Sequence, residues 1–317
     1  MRGQLVQNQT YQLVVHAVAL SVLVLVALTL ATKFGLIHCS QVPYWCEGYR
    51  KILTAFYGRT YPSVLILYGD SGMGDPQLLY RILEDKCRFY VDIDHVDAVS
   101  SGNLDNYDVV VVERARVLSP EQMDVLWEFV AKGGKMLVIG DVGVEAESPA
   151  QLVFVEGEVN GDVNTVEKRV LNVWDRKDEF GRYVLFGTKF LGLKYVGNYC
   201  PEDGCTVSGT ISFKRDIITS GLPSRAPFPL NFAVVEDLRF SSLGPHTTVA
   251  TIEGVAPVNG AKPPYPAIVR TGYRMIYMAF PPEELWRVID EEVRKGNVPE
   301  YASVALIIKN MCNWMSS

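Results

Sequence analysis

The sequence carries no run of basic residues to offset a formal net charge of -6 and a pI near 5.4. That shortage of clustered positive charge excludes a nucleic-acid surface of the usual electrostatic kind, so no RNA or DNA partner is expected. Histidine is scarce: His16, His38, His95 and His246 are the only ones. Asp94, His95 and Asp97 form an acidic turn with metal-ligand character, but no second ligand cluster accompanies it, and no metal is expected. The loop holding Gly69, Gly72 and Gly74 matches neither G-x-G-x-x-G nor a Walker A and lacks its lysine. It reads as a plain turn, and no cofactor is expected. No polar linker tract divides the chain beyond residue 60, so its later part reads as an elaboration of one domain.

What is present begins with a long apolar run. Leu13 to Ala31 is broken only by His16, Ser21 and Thr29, and that length suits a helix crossing a hydrocarbon core of about 30 Å. Residues 1–11 then form a tail, 12–32 a transmembrane helix, 33–60 a membrane-proximal connector, and 61–317 the globular domain. Ala31-Thr32-Lys33 is a poor cleavage site, which favours an uncleaved anchor over a signal peptide. Membrane lipid is thus one expected partner.

Two signals disagree on which side the body faces. Lys33, Arg50 and Lys51 after the span outnumber Arg2 before it, which leans towards a cytoplasmic body. The cysteines lean the other way. Cys39 and Cys46 bracket one short turn-rich loop and Cys200 and Cys205 another, the kind of loop that disulfides staple outside the cytosol. Cys87 and Cys312 either pair or stay as buried thiols. A four-cysteine zinc site is the rival reading, but neither spacing fits a zinc knuckle. We follow the cysteines and expect a single-pass membrane protein with an extracytoplasmic body.

The most legible stretch is Tyr107 to Asp141. Val109 to Val112 are four β-branched residues in a row, which suits a parallel strand buried on both faces. Ser119 is a fit N-cap, Pro120 follows it, and Gln122 stands at capping-box spacing. Met123, Leu126, Trp127 and Val130 make one apolar stripe, Gly133-Gly134 stop the helix, and Met136 to Ile139 run as a second buried strand. This is a right-handed βαβ crossover.

The rest is placed around it. Ser63 to Leu67 predicts a strand, Pro76 to Asp85 a helix and Phe89 to Ile93 another strand, an alternation that implies a parallel sheet with helices on its faces. Beyond Asp141, short strands are predicted at Thr206 to Phe213, Phe232 to Leu238 and Thr247 to Glu253. A hairpin follows from Ala267 to Phe280, turning at Thr271-Gly272. Helices are predicted from near Glu283 and from about Tyr301 to Trp314.

Four segments together resemble the class I glutamine-amidotransferase-like superfamily. They are the run YDVVVVERARVLSPEQMDVLWEFVAKGGKMLVIGD, the later FLGLKYVG, SGLP at Ser220 to Pro223, and PAIVRTGYRMIYMAFPP. The nearer resemblance is to its ThuA-like and β-galactosidase-trimerisation-like branches and related membrane-anchored proteins, and it covers roughly Ser63 to Phe280. It implies an α/β, flavodoxin-like three-layer sandwich with a mostly parallel central sheet and β-rich insertions at about 150–280. A glutaminase of this kind needs a cysteine on the turn after the strand matching Met136 to Ile139, and a His-x-Glu step. Gly140 and Asp141 occupy that turn, and none of the histidines is followed two residues later by glutamate.

The expected role is therefore a non-catalytic binding or scaffold subunit. Its strand-end loops, with Asp70, Ser71, Glu113 and Asp141 nearby, would face another membrane or cell-surface protein or a glycan. The alternative is a tethered hydrolase acting on carbohydrate or another polar substrate, with Asp141 or Asp94 supplying the carboxylate. That alternative expects a closed pocket in which one of those acids meets another acid, a base or a metal.

Overall fold

The computed structural model describes residues 2–33, 45, 48, 52, 62–145, 153–154, 168–169, 187, 191–200, 207–238 and 246–317. The chain divides into two compact units, residues 1–60 and 61–317. In the first, one helix, α1, runs Arg2–Lys33. Its Val14–Thr32 segment is long and apolar enough to cross a membrane. The predicted tail at 1–11 is helical and continuous with that segment from Arg2 on. Beyond Gly3 the tail holds no helix breaker, and nothing in it stops the helical ladder from starting early. Within this unit Trp45 donates from Nε1 to Thr32 Oγ1 at 2.9 Å.

The second unit opens with β1 (Ser63–Tyr68), α2 (Pro76–Asp85) and β2 (Tyr90–His95). A short turn of helix, α3 (Ser101–Leu104), leads to β3 (Val109–Glu113), α4 (Pro120–Ala131) and β4 (Lys135–Ile139). The Ser119–Gln122 capping box forms in both directions. After the two-residue strands β5 (Val153–Phe154) and β6 (Lys168–Arg169) come β7 (Leu193–Asn198), β8 (Gly209–Phe213), β9 (Arg225–Phe228) and β10 (Ala233–Asp237). The chain then runs through β11 (His246–Glu253), β12 (Tyr265–Thr271), β13 (Met275–Met278), α5 (Pro282–Arg294) and α6 (Leu306–Ser316).

Nine strands form one α/β sheet in the order β2-β1-β3-β4-β13-β12-β11-β8-β9. From β2 to β13 every pair is parallel, and from β13 to β9 every pair is antiparallel. The sheet is therefore mixed in equal parts, which corrects the expectation of a mostly parallel one. The connection between β12 and β13 is the reason. Gly272 takes a left-handed φ of 60° in a turn too short for a crossover, so the returning strand must run antiparallel. The later strands do return to the first sheet, with β7 and β10 pairing separately.

Burial follows this layout. Val109 to Val112 and Met136 to Ile139 are wholly buried, as a strand covered on both faces requires. The steps β1 to β2 and β3 to β4 travel in opposite directions along the sheet, so right-handed crossovers place α2 and α4 on opposite faces. Contacts agree: α2 packs with α5 and α4 with α3. A disulfide between Cys87 and Cys312 joins the chain just after α2 to α6, which settles the choice left open for those two cysteines. Cys200 is also disulfide-bonded. The expectations for Cys39, Cys46 and Cys205 lie outside the described residues.

Candidate functional site

The chain reverses direction across the sheet between β1 and β3, and ligands of open α/β sheets bind where carboxyl ends of strands meet such a switch. Here that place is built from the loop Gly69–Asp75, the turn after β3, the turn after β4 and the start of α5. Gly72 and Gly74 take φ values of +123° and +110°, which side-chain-bearing residues rarely adopt. Their bareness lets the loop lie directly on its neighbours. A Cβ on Gly72 would meet the Arg114 backbone at 3.0 Å and Asp141 Oδ1 at 3.1 Å, and one on Gly74 would meet Glu113 Oε2 at 2.9 Å. Arg114 itself sits at φ 50° and donates its N–H to Met73 O.

The loop does cradle anions, and they belong to the chain itself. Met73 N–H donates to Asp141 Oδ1 at 2.9 Å, and Asp75 N–H donates to Glu283 Oε1 at 3.0 Å. Asp75 also caps α2 by accepting from Leu78 N–H at 3.1 Å. This is the anion-binding habit of a glycine-rich strand-to-helix loop turned inwards.

The four residues expected at the site fall into two groups. Asp70 and Ser71 are exposed on the rim, whereas Glu113 and Asp141 are buried beneath it and cannot touch a partner directly. Asp141 is 1 % exposed and its carboxylate is fully engaged: Oδ1 takes the Met73 N–H and Oδ2 the Asn198 side-chain amide at 2.9 Å. Arg116 Nη1 stands 3.7 Å from Oδ2, and the same guanidinium pairs with Glu145. Asn198 is in turn held by the Tyr195 hydroxyl at 2.9 Å. Burial, and then the negative charge of Asp141, push Tyr195 up to about 12, so it stays a neutral donor. Tyr277 is raised for the same two reasons and donates to Gly140 O.

Glu113 has the opposite surroundings. It is wholly buried, and among the described residues neither of its oxygens has a hydrogen-bond partner. Glu283, the second residue of α5, is equally buried and shares with it the space beside Gly74. Burial raises Glu113 well above the usual carboxyl range and the neighbouring Glu283 raises it further. Burial raises Glu283 to about 8, against the lowering effect of the Asp75 N–H. Sequence reasoning missed Glu283, which lies in Pro281-Pro282-Glu283-Glu284 and reads there as an ordinary acidic first helical turn.

The acidic turn after β2 is different again. His95 lies between Asp70 at 3.4 Å and Asp97 at 3.1 Å, edge-on to Tyr68, on the exposed rim. Among the described residues no group of three or more metal-type ligands converges. A carboxylate-held histidine does exist: His246 Nε2 bonds Asp237 Oδ1 at 2.9 Å, with Thr271 Oγ1 at 3.5 Å from Nδ1. No short-range spacing announced it. It cannot serve Asp141, because His246 pairs with Thr271, Thr271 with Met275, and Met275 with the start of β4, while Asp141 follows the end of β4. Strand rise and strand spacing separate the two by roughly 20 Å.

No protein-family model and no curated protein matches the sequence. Solved structures do. A ThuA-like protein from Bacteroides uniformis is 13% identical and aligns over 81% of this chain and 93% of its own, with a TM-score of 0.51. A glutamine amidotransferase from Thermotoga maritima is 13% identical over 82% of this chain and 100% of its own, with a TM-score of 0.41. A β-galactosidase from Rahnella sp. R3 is 16% identical over 80% of this chain and 34% of its own, with a TM-score of 0.44. The likeness to the ThuA-like protein is one of fold.

Proposed function

We propose that this chain, sharing its fold with a ThuA-like protein, is a membrane-anchored binding or scaffold subunit that performs no glutaminase chemistry. The observation that carries the reading is Asp141. It stands on the turn where an amidotransferase nucleophile would be, buried, with one oxygen holding the Gly69–Asp75 loop and the other Asn198. A buried carboxylate with two donors is a strut for the surface above it. That surface, edged by Asp70 and Ser71, is the face offered to another membrane or cell-surface protein or a glycan. The apolar Val14–Thr32 helix supplies the tether. The disulfide-bonded Cys87, Cys200 and Cys312 support a body outside the cytosol.

The alternative, a hydrolase using Asp141, is weakened by burial: a nucleophile or base must come within reach of its substrate, and Asp141 is 1 % exposed beneath the loop. The deciding experiment solubilises the full chain from native membranes in mild detergent. A stable co-purifying partner that is lost when Asp70 and Ser71 are replaced by bulky lysines is the expected result. Recovery of a lone monomer, or release of ammonia from glutamine that Asp141→Asn abolishes, would overturn the reading.

A further inference from the structure

Among the described residues, three carboxyl oxygens beneath the strand-end loop are buried without a hydrogen-bond partner: both of Glu113 and Oε2 of Glu283. Glu113 Oε2 and Glu283 Oε1 each lie within 3.2 Å of the point where a side chain on Gly74 would begin. The two side chains therefore face one small space roofed by that glycine. Two ionised carboxylates there would carry the desolvation penalty of buried charge and repel each other as well, whereas one proton between them removes most of both.

The surroundings favour a single negative charge. The Asp75 N–H and the first turn of α5 stabilise an anion on Glu283. Asp75 and Glu284 oppose any further negative charge, and Arg114 is the nearby cation acting on Glu113. A divalent cation is the other way to neutralise the pair, but calcium takes about six to eight oxygens. Among the described residues no third ligand converges with these two.

We propose that Glu113 and Glu283 share one proton and act as a pH-operated latch on the loop Gly69–Asp75, shut while the pair holds that proton and released when it is lost to solvent. The mechanical link is direct. Glu283 holds the loop by the Asp75 N–H, and Gly74 rests on Glu113, so charging both acids pushes against the segment that covers them. Asp70 and Ser71 ride on that segment, and release would rearrange the rim whatever it binds.

The linkage has a definite sign. The proton shared by the buried pair is held above the usual carboxyl value of 4.5, so closure is most stable at low pH and weakens as pH climbs towards the point where the pair gives that proton up. The test is amide hydrogen exchange of the loop in the full chain in detergent, corrected for intrinsic rate, from about pH 5 to 9. Opening of the loop should rise by up to roughly tenfold per pH unit above the usual carboxyl range, with α4 unaffected. The isosteric double variant Glu113→Gln/Glu283→Gln should show a flat profile. A flat profile in the unaltered chain, the same rise in the double variant, or protection restored at high pH by calcium or magnesium would each overturn the latch. If the double variant does not fold, Glu113→Gln alone decides: its rise must move by about one pH unit, and an unmoved rise is equally fatal.

Discussion

Asp141 and Glu283 are both buried acids, and both accept a backbone N–H from the same loop, yet they are held in opposite ways. Asp141 has a donor on each oxygen and a guanidinium close by. Glu283 has its backbone donors on one oxygen, an orphan oxygen among the described residues, and a second buried acid for company. The contrast teaches that burial alone does not decide how a carboxyl group is held; whether donors reach both oxygens, and whether a second acid faces it, does. One acid serves as fixed scaffolding, and the other is sensitive to its conditions, although they lie under neighbouring residues of one loop.

The comparison can be broken most forcefully at Asp141. Asp141→Ala strips the Met73 N–H and the Asn198 amide of their acceptor, and should cost about 2–5 kcal/mol in denaturant unfolding. Glu283→Gln should act the other way. Removing a carboxyl whose native value is raised to about 8 flattens the pH dependence, so the variant should gain on the unaltered chain by up to about 1.4 kcal/mol per pH unit between 4.5 and 8. Thermal unfolding across that range measures it. Equal slopes for both proteins would erase the distinction.

Smaller effects sharpen it. Gly74→Ala forces a methyl group to 2.9 Å from Glu113 Oε2 at a left-handed φ, and should destabilise by about 1–3 kcal/mol. Gly72→Ala meets the Arg114 backbone, which cannot swing aside, and should cost more than Gly74→Ala in the same assay. Tyr195→Phe removes the hydroxyl that holds Asn198 at the edge of the Asp141 network, for about 0.5–1.5 kcal/mol. A loss as large as that of Asp141→Ala would mean that the network is organised around the tyrosine.

The first half of the fold was legible because its signals are local. A four-valine run, a proline-led capping box and a double-glycine stop specify β3, α4 and β4 with no reference to the rest of the chain. The later strands carry weaker marks. β9, Arg225–Phe228, carries Pro227, which argues against a strand in sequence; the structure places it at the sheet edge, where a missing N–H is tolerated. β7 was visible only through a resemblance, since Gly197 interrupts its pattern. At the site, Glu113 and Asp141 were legible as strand-end acids, but their depth was not. Glu283 left no local trace at all, because its burial is made by a bond to Asp75 spanning 208 positions.

The Cys87–Cys312 bond restricts how the strand-end loop can ever open. It rivets the far end of α2 to α6, so that helix cannot slide outwards to carry its N-terminal loop along. Any excursion must instead be a peel confined to the glycine-bearing segment, swinging between two anchored ends, the close of β1 and the cap of α2. Severing that rivet with a reductant would turn a small flap into a movable arm.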